Sequence, residues 1–97
     1  MVVNMIKTWT GKRAAAVWKR KHLKGMDVEV TSRALRVLEQ LHAAHSLQDL
    51  RVPPSNRLHR LRGDSRGQYS LSVNEQYLIC FRWEGGDAFD VEFTDYH

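Results

Sequence analysis

Cysteine is almost missing from this sequence: Cys80 stands alone among 97 residues. No disulfide can form within the chain, and a reducing compartment, the cytoplasm, fits best. The lone thiol falls in an apolar run and reads as a small core residue. Proline occurs in one place, Pro53-Pro54, where it excludes helix and ladder alike. No apolar run approaches the ~20 residues of a membrane span. The first residues lack the basic-then-apolar pattern of a secretory leader. No membrane partner is expected. Metal-ligand spacing is missing too: His42 and His45 lie three apart on a helical stretch, but no cysteine or carboxylate motif joins them. Gly85-Gly86 is a turn, not a phosphate-cradling loop. Neither metal nor cofactor is expected.

Each sign of charge is missing somewhere. Residues 12–24 hold six Lys and Arg and no acid, and residues 51–66 hold five arginines against Asp64. Residues 84–95 hold five acids and no Lys or Arg. With a net charge of +4, this asymmetry points to a polyanion on one surface. Arginine dominates the second cluster, and its fork binds phosphate bidentately. Arg57, Arg60 and Arg66 of that cluster, with Arg82, are candidate RNA-binding residues. The alternative is a solvated surface.

The length suits one domain, residues 1–97, with one modest core. Residues 2–9 read as a short β-type run. Thr10 is placed to cap a helix over residues 11–22, with Ala14, Val17 and Trp18 on one side and Gly25 as its stop. Asp27 caps a second helix, residues 28–45. There Val30, Ala34, Val37, Leu41 and Ala44 form an apolar stripe, Leu38 widens it, and Arg33, Arg36 and Gln40 flank it. After the proline loop come four β-rich runs, residues 57–62, 68–73, 77–83 and 88–95, joined by short turns. In the last, Phe89, Val91 and Phe93 alternate with polar residues, as in a strand with one buried face. The expectation is an α+β fold in the order β-α-α-β-β-β-β, a two-helix hairpin on a mostly antiparallel twisted sheet.

Two groups could carry chemistry. One is His59 with Arg60, Arg62 and Asp64. The other is the closing triplet Asp95-Tyr96-His97, which the last strand would hold at a sheet edge; the plainer reading is a polar tail. Metal-free RNA cleavage requires a base for the 2′-OH, an acid for the leaving 5′-oxygen, a cation on the phosphorane and a means of holding the bases. Histidine suits either proton task, arginine the phosphate, and tyrosine can stack a base. In a regular strand His59 and Arg62 point to opposite faces, so a bend near Leu61 would be needed for both to reach one phosphate.

The residues Met5-Ile6-Lys7-Thr8-Trp9, the proline loop Leu50-Arg51-Val52-Pro53-Pro54-Ser55-Asn56-Arg57-Leu58, the central Leu61-Arg62-Gly63-Asp64 with Gly67-Gln68-Tyr69-Ser70, and the ending Val91-Glu92-Phe93 with Asp95-Tyr96-His97 go together. Over nearly the whole chain they resemble the HigB branch of the RelE/ParE superfamily of bacterial toxins, the plasmid maintenance killer proteins. The proline loop and the ending together make the match specific. The resemblance implies a RelE-like fold and a metal-independent endoribonuclease that cuts mRNA in the ribosomal A site. It implies a neutralising helix-turn-helix antitoxin, HigA-like, through which the pair would reach operator DNA. It also implies catalytic roles for His59, Arg62, Asp95, Tyr96 and His97.

The sequence departs from the family at Leu78, where relatives typically carry a phosphate-holding arginine, and at Ser72, where arginine is common. Arg82, four residues beyond Leu78 on the same strand face, is the nearest replacement in sequence. Two other readings follow. One is a ParE-like toxin that blocks gyrase without catalysis, against which the closing triplet argues. The other is an attenuated toxin acting mainly as an antitoxin-binding corepressor. The basic residues 12–24 offer an acidic partner a surface remote from His59.

Overall fold

The computed structural model describes residues 6–61 and 67–95. Among these, two helices, α1 (Arg13–Trp18) and α2 (Val28–Ala43), precede two 3-10 turns, Leu47–Arg51 and Pro54–Asn56. Four strands follow: β1 (His59–Arg60), β2 (Gln68–Ser72), β3 (Tyr77–Glu84) and β4 (Asp87–Asp95). They form one antiparallel sheet in chain order. The fold is α+β, as the periodicities imply.

Helix α2 forms where the apolar stripe requires it. The Asp27 carboxylate accepts the Glu29 N–H at 2.9 Å and caps the first turn. Ala34, Val37, Leu38, Leu41 and Ala44 are buried. They pack with Ala14 and Val17 of α1 against Leu71, Val73, Ile79, Phe81, Ala88, Val91 and Phe93 of the sheet. Each fully buried Leu, Ile or Phe contributes about 1.5–3 kcal/mol of transfer free energy. At the margin Trp9 meets Trp18 at 6.0 Å and Trp18 meets the His42 ring at 4.9 Å. His42 Nδ1 is buried there with no hydrogen-bond partner among the described residues.

Helix α1 is shorter than residues 11–22. Lys12, not Thr10, is its N-cap, and no side chain caps it. It stops well before Gly25, because Arg20 takes the left-handed conformation (φ 60°). The Arg20 N–H then reaches the Val17 carbonyl and the Lys21 N–H the Ala16 carbonyl, both at 2.9 Å. This is a Schellman closure with arginine where glycine is usual. Lys19, Arg20, Lys21 and Lys24 therefore lie beyond the helix, not in its last turn.

The expected opening strand reduces, among the described residues, to two isolated parallel bridges, Ile6 to Ala88 and Trp9 to Val91. They meet β4 where it bulges. Cys80 pairs with Glu92 but Arg82 pairs with Phe89, so β4 carries one extra residue. Asp90 (φ 54°) absorbs it. Thr8 pins the bulge: its hydroxyl accepts the Asp90 N–H at 2.7 Å, and its carbonyl accepts the Val91 N–H at 3.0 Å. The bulge also changes the inward set. Ala88, Val91 and Phe93 are buried, whereas Phe89, expected among them, lies under the Arg82 guanidinium at 4.7 Å.

The hairpins follow their turn chemistry. Gly85 and Gly86 both have positive φ, 59° and 86°, the requirement of a two-residue type I′ loop between Glu84 and Asp87. The Asn74 side chain accepts the N–H groups of Gln76 and Tyr77, each at 2.8 Å, and closes the β2–β3 turn. The proline loop is not structureless: Pro54 opens a 3-10 turn.

Candidate functional site

Among the described residues strand β1 takes up two of the run 57–62, starting only at His59 because the chain reaches it from Arg57 in the left-handed conformation (φ 47°). His59 is exposed and pairs with Ser70. Ser70 pairs with Cys80, and Cys80 with Glu92. Directly opposed residues share a face, so His59, Ser70, Cys80 and Glu92 form one row across the sheet, on the face away from the helices. Cys80 is therefore half-buried on that face rather than a core residue. Burial and then the Glu92 carboxylate raise its thiol from 9.0 to about 11. At neutral pH it stays protonated and is no nucleophile.

The neighbouring row is Ser72, Leu78 and Thr94. It contains no cation. Arg82 belongs to the next row on the other side, opposite Gln68 and Phe89. Its guanidinium is ion-paired with Glu84 and lies 3.3 Å from Asp90. Both carboxylates and the Phe89 ring already engage it, so a phosphate would have to compete with them.

Asp95 ends β4 opposite Tyr77. His59 and Asp95 thus occupy opposite edge strands. Three inter-strand steps and three residues separate them, about 17 Å measured along the sheet. The structure does not place these two residues side by side. Arg62, Arg66, Tyr96 and His97 lie outside the described residues. Arg60 is exposed and pairs with Tyr69.

A cleft of about 340 Å3 lies at Arg57, Leu58, His59, Ser70 and Ser72. A larger one, about 610 Å3, shares Arg57 and Ser72 with it and extends to Arg33 of α2, Ser55 and the β2–β3 turn. Sequence reasoning did not single out Arg33, which lines the larger cleft, or Glu92, which shares the row of His59. Period-two alternation places Glu92 on the open face, but its register against His59 needs the bulge at Asp90. Arg33 was visible only as a flank of the α2 stripe. No group of three His, Cys, Asp or Glu side chains arranged for a metal occurs among the described residues. No described helix is long and apolar enough to cross a membrane.

A helical pair on one face of an antiparallel sheet, with an open face bearing an exposed histidine beside arginines, is the layout of a small RelE-like toxin domain. The profile of the family described as "RelE-like toxin of type II toxin-antitoxin system HigB" matches residues 18–97, and the chain belongs to that family. Among its relatives, "Toxin HigB-1" of Vibrio cholerae is 44% identical over 62 residues, 64% of each chain. "Endoribonuclease HigB" of Proteus vulgaris is 27% identical over 93 residues, 96% of this chain and all of that one. An uncharacterized Haemophilus influenzae protein is 36% identical over 53 residues, 55% of this chain and 52% of that one. The chain thus spans about two thirds of the Vibrio relative, about half of the Haemophilus one and the whole of the Proteus one.

Proposed function

We propose that this protein is the toxin of a type II pair and a metal-independent endoribonuclease that cuts mRNA on the ribosome. The observation that carries this reading is the exposed His59, which lines a cleft together with Arg57. The full-length match to a relative named endoribonuclease supports it. His59 serves as a proton carrier, and Arg62 neutralises the phosphorane. The chain end supplies the second proton carrier, His97, with Tyr96 and Asp95 to orient it; Asp95 itself lies about 17 Å along the sheet from His59 and serves that end. Arg57, Arg60, Arg66 and Arg82 are proposed RNA contacts. The partners are the ribosome with its mRNA and a HigA-like helix-turn-helix antitoxin, with operator DNA reached through the antitoxin. The site of action is the cytoplasm.

The test is induced expression followed by mapping of mRNA ends. Native protein is expected to give new ends within translated regions, and His59→Ala to reduce them at least ~10²-fold, as loss of a general acid–base does. Intact mRNA with a DNA-damage response would move the function to gyrase. The cation-free row at Leu78 favours a second reading, an attenuated toxin that chiefly binds its antitoxin; weak cleavage by the native protein with full antitoxin binding is its signature.

A further inference from the structure

The row of Ser72, Leu78 and Thr94 holds no cation, yet cations stand immediately beside it. Ser72, directly opposite Leu78, lines both clefts, together with Arg57. Arg33 completes the larger cleft from α2. A narrower recess of about 90 Å3 beside it adds Arg36. Both Arg33 and Arg57 are exposed. Neither takes part in an ion pair among the described residues. Glu75 is the one acid lining the cleft among the described residues.

The positions of these arginines are built, not incidental. Asn56 is 4% exposed. Its amide donates to Gln40 Oε1 at 2.8 Å, to the Leu50 carbonyl at 3.2 Å and to the Val52 carbonyl at 3.4 Å. The Arg57 N–H closes the turn on the Pro54 carbonyl at 3.0 Å. Gln40 lies seven residues beyond Arg33 on α2, hence on the same helix face. The contact that pins the proline loop to α2 therefore also sets Arg57 against Arg33. Two forked cations held over one open cleft, with their backbone already ordered, suit an oxyanion with several acceptors.

We propose that Arg33 and Arg57 form a backbone-phosphate subsite for single-stranded RNA, gripping the phosphate next to the one His59 addresses. The subsite supplies, from the helix and the proline loop, the grip that the Leu78 row lacks. The chemistry follows from the clefts: both are lined by Arg57 and Ser72, so a strand held at His59 in the one would reach Arg33 through the other. Phosphate contacts of this kind bind without reading sequence and are weakened by salt. The inference rests on the ribonuclease reading for its purpose, but its binding chemistry is separable.

The test uses a short single-stranded RNA with 2′-O-methyl sugars, which lacks the attacking hydroxyl, titrated with purified protein over a range of salt. Arg57 sits at positive φ, so its variant is Arg57→Asn, which tolerates that conformation; the partner variant is Arg33→Gln. Each is expected to weaken binding about tenfold and to lower the salt slope by about 0.7 for each phosphate it no longer neutralises. Lys7→Gln, one charge removed from beside β4, is expected to change affinity less than about twofold. Thermal melts establish that each variant is folded. Equal effects of all three substitutions, or no binding by the parent at low salt, overturn the subsite. Cleavage in a translating extract is read in parallel. If the parent cleaves and the two arginine variants bind and cleave as well as it does, the subsite falls and the nuclease stands. If the parent binds through these arginines but does not cleave, the subsite stands and the nuclease falls.

Discussion

Cys80 shows how one side chain reports its surroundings. Its folded value near 11 lies above the ordinary 9.0, through burial first and the Glu92 carboxylate second. Between those values the folded chain keeps a proton that the unfolded chain has lost. The stability gained is therefore full below pH 9 and lost as pH rises towards 11. Alkylation by iodoacetamide is expected to be slow near neutral pH and half-maximal near pH 11, and Glu92→Gln should lower that midpoint. A midpoint at 9 would place the thiol in open solvent. Leu78 is the second informative residue. Opposite Ser72 and Thr94, an arginine at 78 would face the same cleft-bearing side of the sheet. Leu78→Arg is expected to raise mRNA cleavage on the order of 10²-fold, the scale of one transition-state-stabilising group. Unchanged cleavage, measured by mRNA-end mapping, would mean that the phosphorane is already neutralised from elsewhere.

At the scale of elements, what was legible follows from periodicity. The α2 stripe and the Asp27 cap announce their helix because packing and capping act through local spacing. Strands β2 and β3 announce themselves by alternation. What was not legible turned on single backbone conformations. Nothing in the basic run marks Arg20 as the residue that turns left-handed, so α1 read as running on to residue 22. Nothing in residues 89–93 marks Asp90 as a bulge, so Phe89 read as core. The Arg20 case carries a stability prediction. An L-residue in that conformation costs about 1–2 kcal/mol that glycine avoids. The Arg20–Glu39 ion pair that the substitution removes is exposed, at 3.6 Å, and contributes little. Arg20→Gly is expected to stabilise the fold by about 1 kcal/mol in a urea titration. A destabilised variant would mean that the arginine side chain holds the α1–α2 turn.

For the whole molecule the governing feature is the separation of charge. Lys19, Arg20, Lys21 and Lys24 are exposed beyond the end of α1. The groove between the two helices, about 270 Å3, is lined by Arg20, Lys21 and His22 together with Val17, Val28 and Leu35. Val28 is 66% exposed, an apolar anchor without cover among the described residues. His59 belongs to the sheet face away from these helices. The proposed antitoxin, if it grips the basic face, would then hold the toxin without touching His59, and electrostatic steering would set its rate of capture. Reversing Lys19, Lys21 and Lys24 to Glu is expected to slow association about tenfold at low salt and to flatten its salt dependence, with the toxin's melting temperature held as the folding control. Stopped-flow association rates at several salt concentrations provide the measurement. An unchanged rate would move the grip to the sheet face, where an antitoxin would have to compete with RNA for the arginines beside His59.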